Sequence, residues 1–116
     1  IKLLGSRNDT VELYQGMDAF FLPSFFEGLP VTGVEAQAMG LSMVVSDTVT
    51  REMVYTDLVD YVSLNDTPEA WASRLEIALR KNAKREQYAD RLKLSNFSNI
   101  GCGNRLEQVY CWWING

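Results

Sequence analysis

Short, mostly apolar runs alternate along this chain with segments of helical periodicity. The apolar runs predict four strands, at residues 1–4, 19–22, 43–45 and 61–64. A continuous apolar run such as residues 19–22 is typical of a strand buried on both faces, as in a parallel sheet. Pro23 follows that run directly, so we expect the strand to end there.

Helical periodicity predicts two helices between the first three strands, at residues 10–17 and 32–39. Thr10 is the expected cap of the first helix, because threonine side chains accept hydrogen bonds from helix N-termini. Gly40 follows the second helix, in the position where glycine ends helices most easily.

A third helix is predicted from the sequence Asp66-Thr67-Pro68-Glu69, which combines a cap residue, a proline and an acidic residue in the first turn. The apolar stripe of this helix consists of Trp71, Leu75, Ala78 and Leu79. A fourth, charged helix is predicted at residues 85–94. Residues 97–103 carry two glycines and are interpreted as a linker or kink. A last helix follows, with apolar residues at helical spacing: Leu106, Val109, Tyr110 and Trp113.

Alternation of strands with helices predicts an α/β fold. We expect a Rossmann-like parallel sheet of about four strands with helices on both faces, at residues 1–95. Residues 96–116 are expected to form a C-terminal helix after the kink. Ligands of such folds bind beyond the carboxyl ends of the strands, which directs attention to the loops after each apolar run.

The composition of the chain excludes several kinds of functional site. The chain of 116 residues has a net charge of −4, so a broad nucleic-acid contact is not expected. It contains no histidine, which excludes an imidazole base, and its two cysteines cannot complete a structural zinc site. No apolar run approaches the roughly 20 residues of a membrane span, and no signal-peptide pattern is present. These features favour a cytoplasmic protein. Because residue 1 is Ile, we interpret the chain as a piece of a longer protein.

Basic residues gather towards the end of the expected domain. The interpretation that we favour is a solvated helix face, and the alternative is a weak contact with the anionic inner face of a membrane. The residues concerned are Arg80, Lys81, Lys84, Arg85, Arg91 and Lys93.

The loop after the second apolar run is the richest in chemistry. Residues 23–36 read PSFFEGLPVTGVEA, a strand end, a tight loop with an acid, and the start of a helix. The first amides of a helix lack internal partners, so the amides of Val31, Thr32 and Gly33 are expected to be available to an anion such as a diphosphate. Gly28 allows close approach of the backbone to a ligand, and Pro30 holds the loop rigid.

Two glutamates flank this helix start. Glu35 lies about one turn inside the helix, where its two oxygens match the vicinal hydroxyls of a ribose. Glu27 lies in the loop, where it could accept hydrogen bonds from a sugar beyond the phosphates. The alternative is that Glu35 is a solvated helix acid and Glu27 an ordinary loop acid, and the spacing alone does not decide between the two.

At these residues the sequence strongly resembles the family-four retaining glycosyltransferases of the GT-B fold, which carry two glutamates separated by seven residues. The similarity covers about residues 1–81. Besides Glu27 and Glu35, it rests on Leu3-Leu4-Gly5, Leu13-Tyr14, Asp18-Ala19, Phe21-Leu22-Pro23-Ser24, Glu35-Ala36, Ala38-Met39-Gly40 and Val44-Val45-Ser46-Asp47.

The resemblance implies that a nucleotide-diphospho-sugar, UDP-linked and without a metal, binds to this part of a two-domain enzyme. According to this resemblance, Glu35 binds the ribose, and Glu27 is the catalytic-site residue at the transferred sugar. Backbone groups of Gly28, Leu29, Val31 and Thr32 would contact sugar and diphosphate. The similarity is greatest to bacterial exopolysaccharide and capsule enzymes, which implies a polysaccharide or lipid-linked acceptor and a place in the cytoplasm or at the inner membrane face.

The chain also departs from the family. The N-terminal GT-B domain and the beginning of the C-terminal domain, with its phosphate-binding Arg and Lys, are not in the sequence, so we expect the chain to be inactive alone. Residues 48–52 have none of the glycines frequent there in the family. Trp112 or Trp113 could contact the other domain, although a core position for Trp113 is favoured. An unpartnered helix face could also drive homodimer formation.

Two other functions compete with this interpretation. One is a nucleotide-binding α/β module without catalysis, which the sequence does not exclude. The other is a signalling receiver domain, which needs clustered acids after the first strand and a lysine after a late one. Gly5-Ser6-Arg7 follows the first run and no lysine directly follows Leu64, so this class is disfavoured.

Overall fold

The computed structural model describes residues 1–81 and 84–98. These residues form an α/β fold with a three-stranded parallel sheet, four α-helices and one 3₁₀ helix. The strands are β1 (Ala19–Leu22), β2 (Ser42–Ser46) and β3 (Val59–Val62). The helices are α1 (Thr10–Gly16), α2 (Val31–Ala38), α3 (Pro68–Arg80) and α4 (Glu86–Leu94), and the 3₁₀ helix spans Arg51–Met53.

The sheet order is β1-β2-β3, with parallel pairing throughout. Every residue of β2 is buried, as its continuous apolar run predicts for a central strand. β1 is an edge strand within the described residues, and the side chain of Phe21 is 46% exposed. The prediction that residues 19–22 are buried on both faces is therefore wrong, because an apolar run alone does not distinguish a central strand from an edge strand.

The strand predicted at residues 1–4 is not formed. These residues have no regular secondary structure, and Ile1, Leu3 and Leu4 are exposed. A strand needs a neighbour to accept its backbone hydrogen bonds, and residues 1–4 pair with no described strand. The sheet therefore has three strands here where about four were predicted.

Helices cover both faces of the sheet, as predicted. α3 covers one face, where Ala78 and the half-buried Trp71 and Leu75 pack against Val44 and Val62. Leu79, predicted in the same stripe, is instead 52% exposed. The opposite face carries the larger core, to which α1, α2 and α4 contribute. Its members include Tyr14, Val34, Met43, Val45, Met53 and Leu92.

The strongest start signal in the sequence is confirmed. The Thr67 hydroxyl accepts a hydrogen bond from the Ala70 amide at 3.3 Å, and Pro68 begins α3. At α1 the cap position belongs to Asp9 rather than to Thr10, and the Asp9 side chain makes no cap bond. The two carboxylate oxygens of Asp9 instead accept from Arg7, so the side chain is held on Arg7 rather than on the helix amides.

Gly40 ends α2 with a φ of +69°, as the sequence predicts. A side chain at this position would also collide with α4, because an added Cβ would lie 2.7 Å from the Cα of Arg85. The close approach lets the Arg85 guanidinium donate to the carbonyls of Gln15 and Met17. These contacts hold α1, α2 and α4 together on one face of the sheet.

The C-terminal helix predicted at residues 96–116 lies outside the described residues beyond residue 98. Within the described ranges, the longest helix has 13 residues, and none is sufficiently long and apolar to cross a membrane.

Candidate functional site

The loop that joins β1 to α2 is fixed to the neighbouring strand at the carboxyl edge of the sheet. The backbone carbonyl of Ser24 accepts hydrogen bonds from the hydroxyls of Ser46, at the end of β2, and Thr48, the latter at 2.8 Å. The Thr48 hydroxyl also lies 3.2 Å from the Ser46 hydroxyl. The loops after β1 and β2 therefore meet where parallel α/β folds bind ligands.

The helix after this loop begins with unpaired amides. α2 has Pro30 at its N-cap, and no side chain caps it. The amides of Gly33 and Val34 both donate to the Pro30 carbonyl, at 2.9 and 3.3 Å. The expectation that the Gly33 amide is available to a ligand is therefore wrong. The amides of Val31 and Thr32 donate to no acceptor among the described residues, and both residues are exposed.

Glu27 lies in the loop with one carboxylate oxygen held. Its side chain is half-buried, and Oε1 accepts a hydrogen bond from the Ser24 hydroxyl at 2.8 Å. No described residue donates to Oε2. Gly28 and Leu29, which follow, are exposed, and a Cβ added to Gly28 would meet no atom within 4 Å. This part of the loop is open to a ligand.

Glu35 faces a second element, helix α1. The phenol of Tyr14 donates to Glu35 Oε2 at 3.0 Å. Burial, together with this carboxylate, raises the pKa of Tyr14 to about 12. The phenol therefore remains a hydrogen-bond donor at any physiological pH. Glu35 itself is exposed, and its Oε1 has no partner among the described residues.

Tyr14, Val31 and Glu35 line one cavity of about 290 Å³ between α1, α2 and α4. Glu27 is not among the described residues that line it. Leu29 borders a different cavity of about 450 Å³, next to Glu52 and Phe97. The structure thus brings Val31 and Glu35 to one cavity, with the loop of Glu27, Gly28 and Leu29 preceding it at the N-terminus of α2.

An apolar cavity of about 420 Å³ lies on the α3 face of the sheet, lined by Phe21, Pro23, Leu64, Pro68, Trp71, Ala72 and Leu75. The indole nitrogen of Trp71 already donates to the Ser63 carbonyl at 3.1 Å. A charged ligand such as a diphosphate would be desolvated there without compensating donors. The polar site at the start of α2 is therefore the better candidate.

Three residues position the site in ways that the sequence did not predict. Tyr14 belonged to a helical apolar stripe, which predicts packing but not the hydrogen bond of its hydroxyl. Gln37 is fully buried and binds the carbonyls of Gly33 and Met53 at 3.0 and 2.9 Å. Gly33 leaves space for the Met53 side chain, because a Cβ added to Gly33 would lie only 2.7 Å from the Met53 sulfur. Together these contacts fix the first turn of α2 against the 3₁₀ helix.

Residues 1–81 match the model of the family Glycosyl transferases group 1. The chain belongs to this glycosyltransferase family. The match covers more than half of the chain and includes the whole candidate site. No solved structure matches the chain significantly.

Curated relatives of this family member are bacterial glycosyltransferases. EpsF of Bacillus subtilis is 34% identical over 89 residues, which cover 76% of this chain and 23% of EpsF. A Campylobacter jejuni enzyme named N,N'-diacetylbacillosaminyl-diphospho-undecaprenol alpha-1,3-N-acetylgalactosaminyltransferase is 53% identical over 47 residues, or 40% of this chain and 12% of the relative. The Escherichia coli UDP-Gal:alpha-D-GlcNAc-diphosphoundecaprenol alpha-1,3-galactosyltransferase is 47% identical over 45 residues, or 39% of this chain and 12% of the relative. The chain thus spans less than a quarter of the length of these relatives.

Proposed function

We propose that this family member binds a nucleotide-diphospho-sugar at the start of α2, as the donor site of a retaining glycosyltransferase of the GT-B fold. The observation that carries the proposal is the pair of free amides at Val31 and Thr32, which Glu27 precedes and Glu35 follows along the chain. The transfer itself would be the activity of the longer protein.

The diphosphate is the part of the donor that suits the helix start. The unpaired N–H groups of a helix N-terminus carry about half a positive charge together, so they attract anions. Two of these groups, at Val31 and Thr32, are exposed. The backbone of Gly28 and Leu29 lies next to them along the chain and would contact the phosphates or the sugar.

Glu35 is proposed to bind the ribose. Its Oε2 is already oriented by Tyr14, while Oε1 has no described partner. Each oxygen of a carboxylate can accept two hydrogen bonds, so Oε2 can hold Tyr14 and one ribose hydroxyl while Oε1 holds the other. The cavity that Glu35 shares with Tyr14 and Val31 provides room beside the carboxylate.

Glu27 is proposed to bind the transferred sugar. It precedes the free amides in the loop, so a ligand with its diphosphate on the amides would extend in one direction towards Glu27 and in the other towards Glu35. A carboxylate recognises sugar hydroxyls by accepting their hydrogen bonds.

The names of two relatives suggest the reaction partners. Both act on sugars linked to diphospho-undecaprenol, and one uses UDP-galactose. We propose a UDP-linked donor and a polysaccharide or lipid-linked acceptor for the longer protein, with the protein in the cytoplasm or at the inner membrane face.

The ribose role is tested by exchanging Glu35 for Ala and measuring the dissociation constants of UDP and GDP by NMR titration. We expect weaker binding of the preferred nucleotide by about tenfold or more, since hydrogen bonds to charged groups contribute about 1.5–3 kcal/mol each. Glu86→Ala is the matched control, because Glu86 is an exposed acid in the first turn of α4. Equal affinities of the two variants would contradict the proposal.

A further inference from the structure

Ser24 connects the end of the sheet to the glutamate proposed to bind the sugar. Its carbonyl accepts from the hydroxyls of Ser46 and Thr48, and its own hydroxyl donates to Glu27 Oε1 at 2.8 Å. Ser46 ends β2 and is fully buried in the sheet. A continuous chain of contacts thus runs from the rigid central strand through Ser24 to one oxygen of Glu27.

The backbone and the side chain of Ser24 make different contacts. The carbonyl holds the loop against β2, and the hydroxyl holds only the carboxylate. The loop position therefore does not require the Ser24 hydroxyl, whereas the orientation of Glu27 does. A carboxylate held at Oε1 presents Oε2 in a defined direction, and Oε2 has no donor among the described residues.

We propose that Ser24 is a positioning residue for recognition of the transferred sugar: its hydroxyl fixes Glu27 so that Oε2 accepts a sugar hydroxyl. Ser46 and Thr48 anchor it from the neighbouring strand end. This inference rests on the proposed donor site and assigns the sugar selectivity of that site to a network that joins two loops. Ser24 acts on the sugar through Glu27, and nucleotide binding does not depend on it.

The test compares UDP with two UDP-sugars, which carry a sugar on the same nucleoside diphosphate. The dissociation constants of UDP and of a UDP-sugar are measured by NMR titration for the native chain, Ser24→Ala and Glu27→Ala. UDP-galactose and UDP-N-acetylgalactosamine are the probes, since relatives transfer these two sugars by name. In Ser24→Ala, we expect UDP-sugar binding to weaken by about three- to tenfold, because a mobile side chain must be immobilised on binding. Binding of UDP is expected to stay within about twofold of the native value, since the contacts that hold the loop remain.

Three further variants separate positioning from folding. Ser24→Thr keeps the hydroxyl and should bind the UDP-sugar like the native chain. Thr48→Val removes one of two donors to the Ser24 carbonyl, and we expect it to cause a smaller loss for the UDP-sugar than Ser24→Ala does. Ser73→Ala is the matched control, because the exposed Ser73 hydroxyl donates only to the Glu69 carbonyl within α3.

The outcomes distinguish this inference from the proposed function. A selective loss in Glu27→Ala but none in Ser24→Ala would overturn the role of Ser24 and leave the donor site intact. An equal loss for UDP and UDP-sugar in Ser24→Ala would mean that the hydroxyl merely supports the loop, which also overturns it. If the native chain binds neither UDP nor the UDP-sugars, both the proposed donor site and the role of Ser24 are overturned.

Discussion

Tyr14 and Glu35 are joined by a hydrogen bond of 3.0 Å from the phenol to Oε2, although 21 residues separate them in sequence. The bond connects α1 to α2, and both residues line the same cavity. Because Glu35 is otherwise exposed, the phenol is the described group that limits the rotation of its carboxylate. The orientation of the proposed ribose ligand therefore depends on a helix that precedes it in the chain.

Removal of the Tyr14 hydroxyl should weaken nucleotide binding, although the Glu35 carboxylate remains. In Tyr14→Phe, we expect affinity for UDP to fall by about two- to tenfold, the cost of fixing a side chain that is now mobile. The loss should be the same for UDP and for UDP-galactose, since both contain the ribose. NMR titration of both ligands measures it.

The control for this change is Tyr88→Phe. The Tyr88 hydroxyl hydrogen-bonds to Asp57 at 3.3 Å rather than to Glu35, so this variant loses a phenol oxygen that does not orient the carboxylate. Its affinity for UDP should equal that of the native chain. If Tyr14→Phe and Tyr88→Phe bind UDP equally well, Tyr14 has no role in the orientation of Glu35.

The phenols of Tyr14 and Tyr55 should make the fold sensitive to alkaline pH. Burial raises the pKa of Tyr14 and Tyr55 to about 12, the first also through Glu35, whereas tyrosines of an unfolded chain ionise near pH 10. Between these values the unfolded state releases protons that the folded state retains. The contribution of these two groups to the free energy of unfolding should therefore be constant below about pH 9 and fall from about pH 10 towards pH 12.

Urea midpoints at pH 8, 9, 10 and 11, followed by circular dichroism, test this dependence. The variant Tyr14→Phe/Tyr55→Phe should start from a lower midpoint, because it loses two hydrogen bonds, but its midpoint should decline less above pH 10. A decline of the same steepness in both proteins would show that these phenols do not cause it.

Gly28 should be dispensable for folding but not for binding. An added Cβ meets no atom within 4 Å, and Gly28 has no positive φ, so Gly28→Ala should change the free energy of unfolding by less than about 1 kcal/mol. The methyl group would occupy space next to the free amides, and we expect UDP-galactose to bind several-fold more weakly. Gly16→Ala is the control, since Gly16 also has open space around it at the end of α1. Unchanged binding by Gly28→Ala would place the ligand elsewhere.

Gln37 should be essential for stability. Its amide donates to the carbonyls of Gly33 and Met53, and its oxygen accepts from Tyr55 and Thr56. Gln37→Leu would remove these four hydrogen bonds, two of which are buried, at a cost of about 3 kcal/mol. Urea unfolding measures the loss, with the exposed Gln15 changed to Leu as the control. Equal stability of both variants would contradict this role.

The elements that the sequence predicted correctly are those whose signals are local and complete. The start of α3 combines Thr67 and Pro68 in adjacent positions, and the end of α2 is marked by Gly40. The buried strand β2 follows from an uninterrupted apolar run. Residues 1–4 are also mostly apolar, although Lys2 interrupts the run, but a strand also requires a partner strand, which no window of sequence specifies.

The candidate site also combines residues that are contiguous in sequence with residues from distant positions. The pair of glutamates and the helix start between them are contiguous in sequence, so the segment could be identified before the fold was known. The Ser24 hydroxyl that holds Glu27 is also close to it in sequence. The other contacts come from distant positions: Tyr14 in α1 donates to Glu35, and Ser46 and Thr48, at and after the end of β2, donate to the Ser24 carbonyl. The Gly33 amide was misjudged because its bond to the Pro30 carbonyl depends on how tightly the first turn is wound.

The position at which the donor binds is located most directly by amide chemical shifts during titration of the chain with UDP-galactose. We expect the largest shift changes at residues 28–35, together with Tyr14, and smaller ones at the apolar cavity around Trp71. Changes concentrated at Leu64, Ala72 and Trp71, with the amides of Val31 and Thr32 unaffected, would contradict the proposed site.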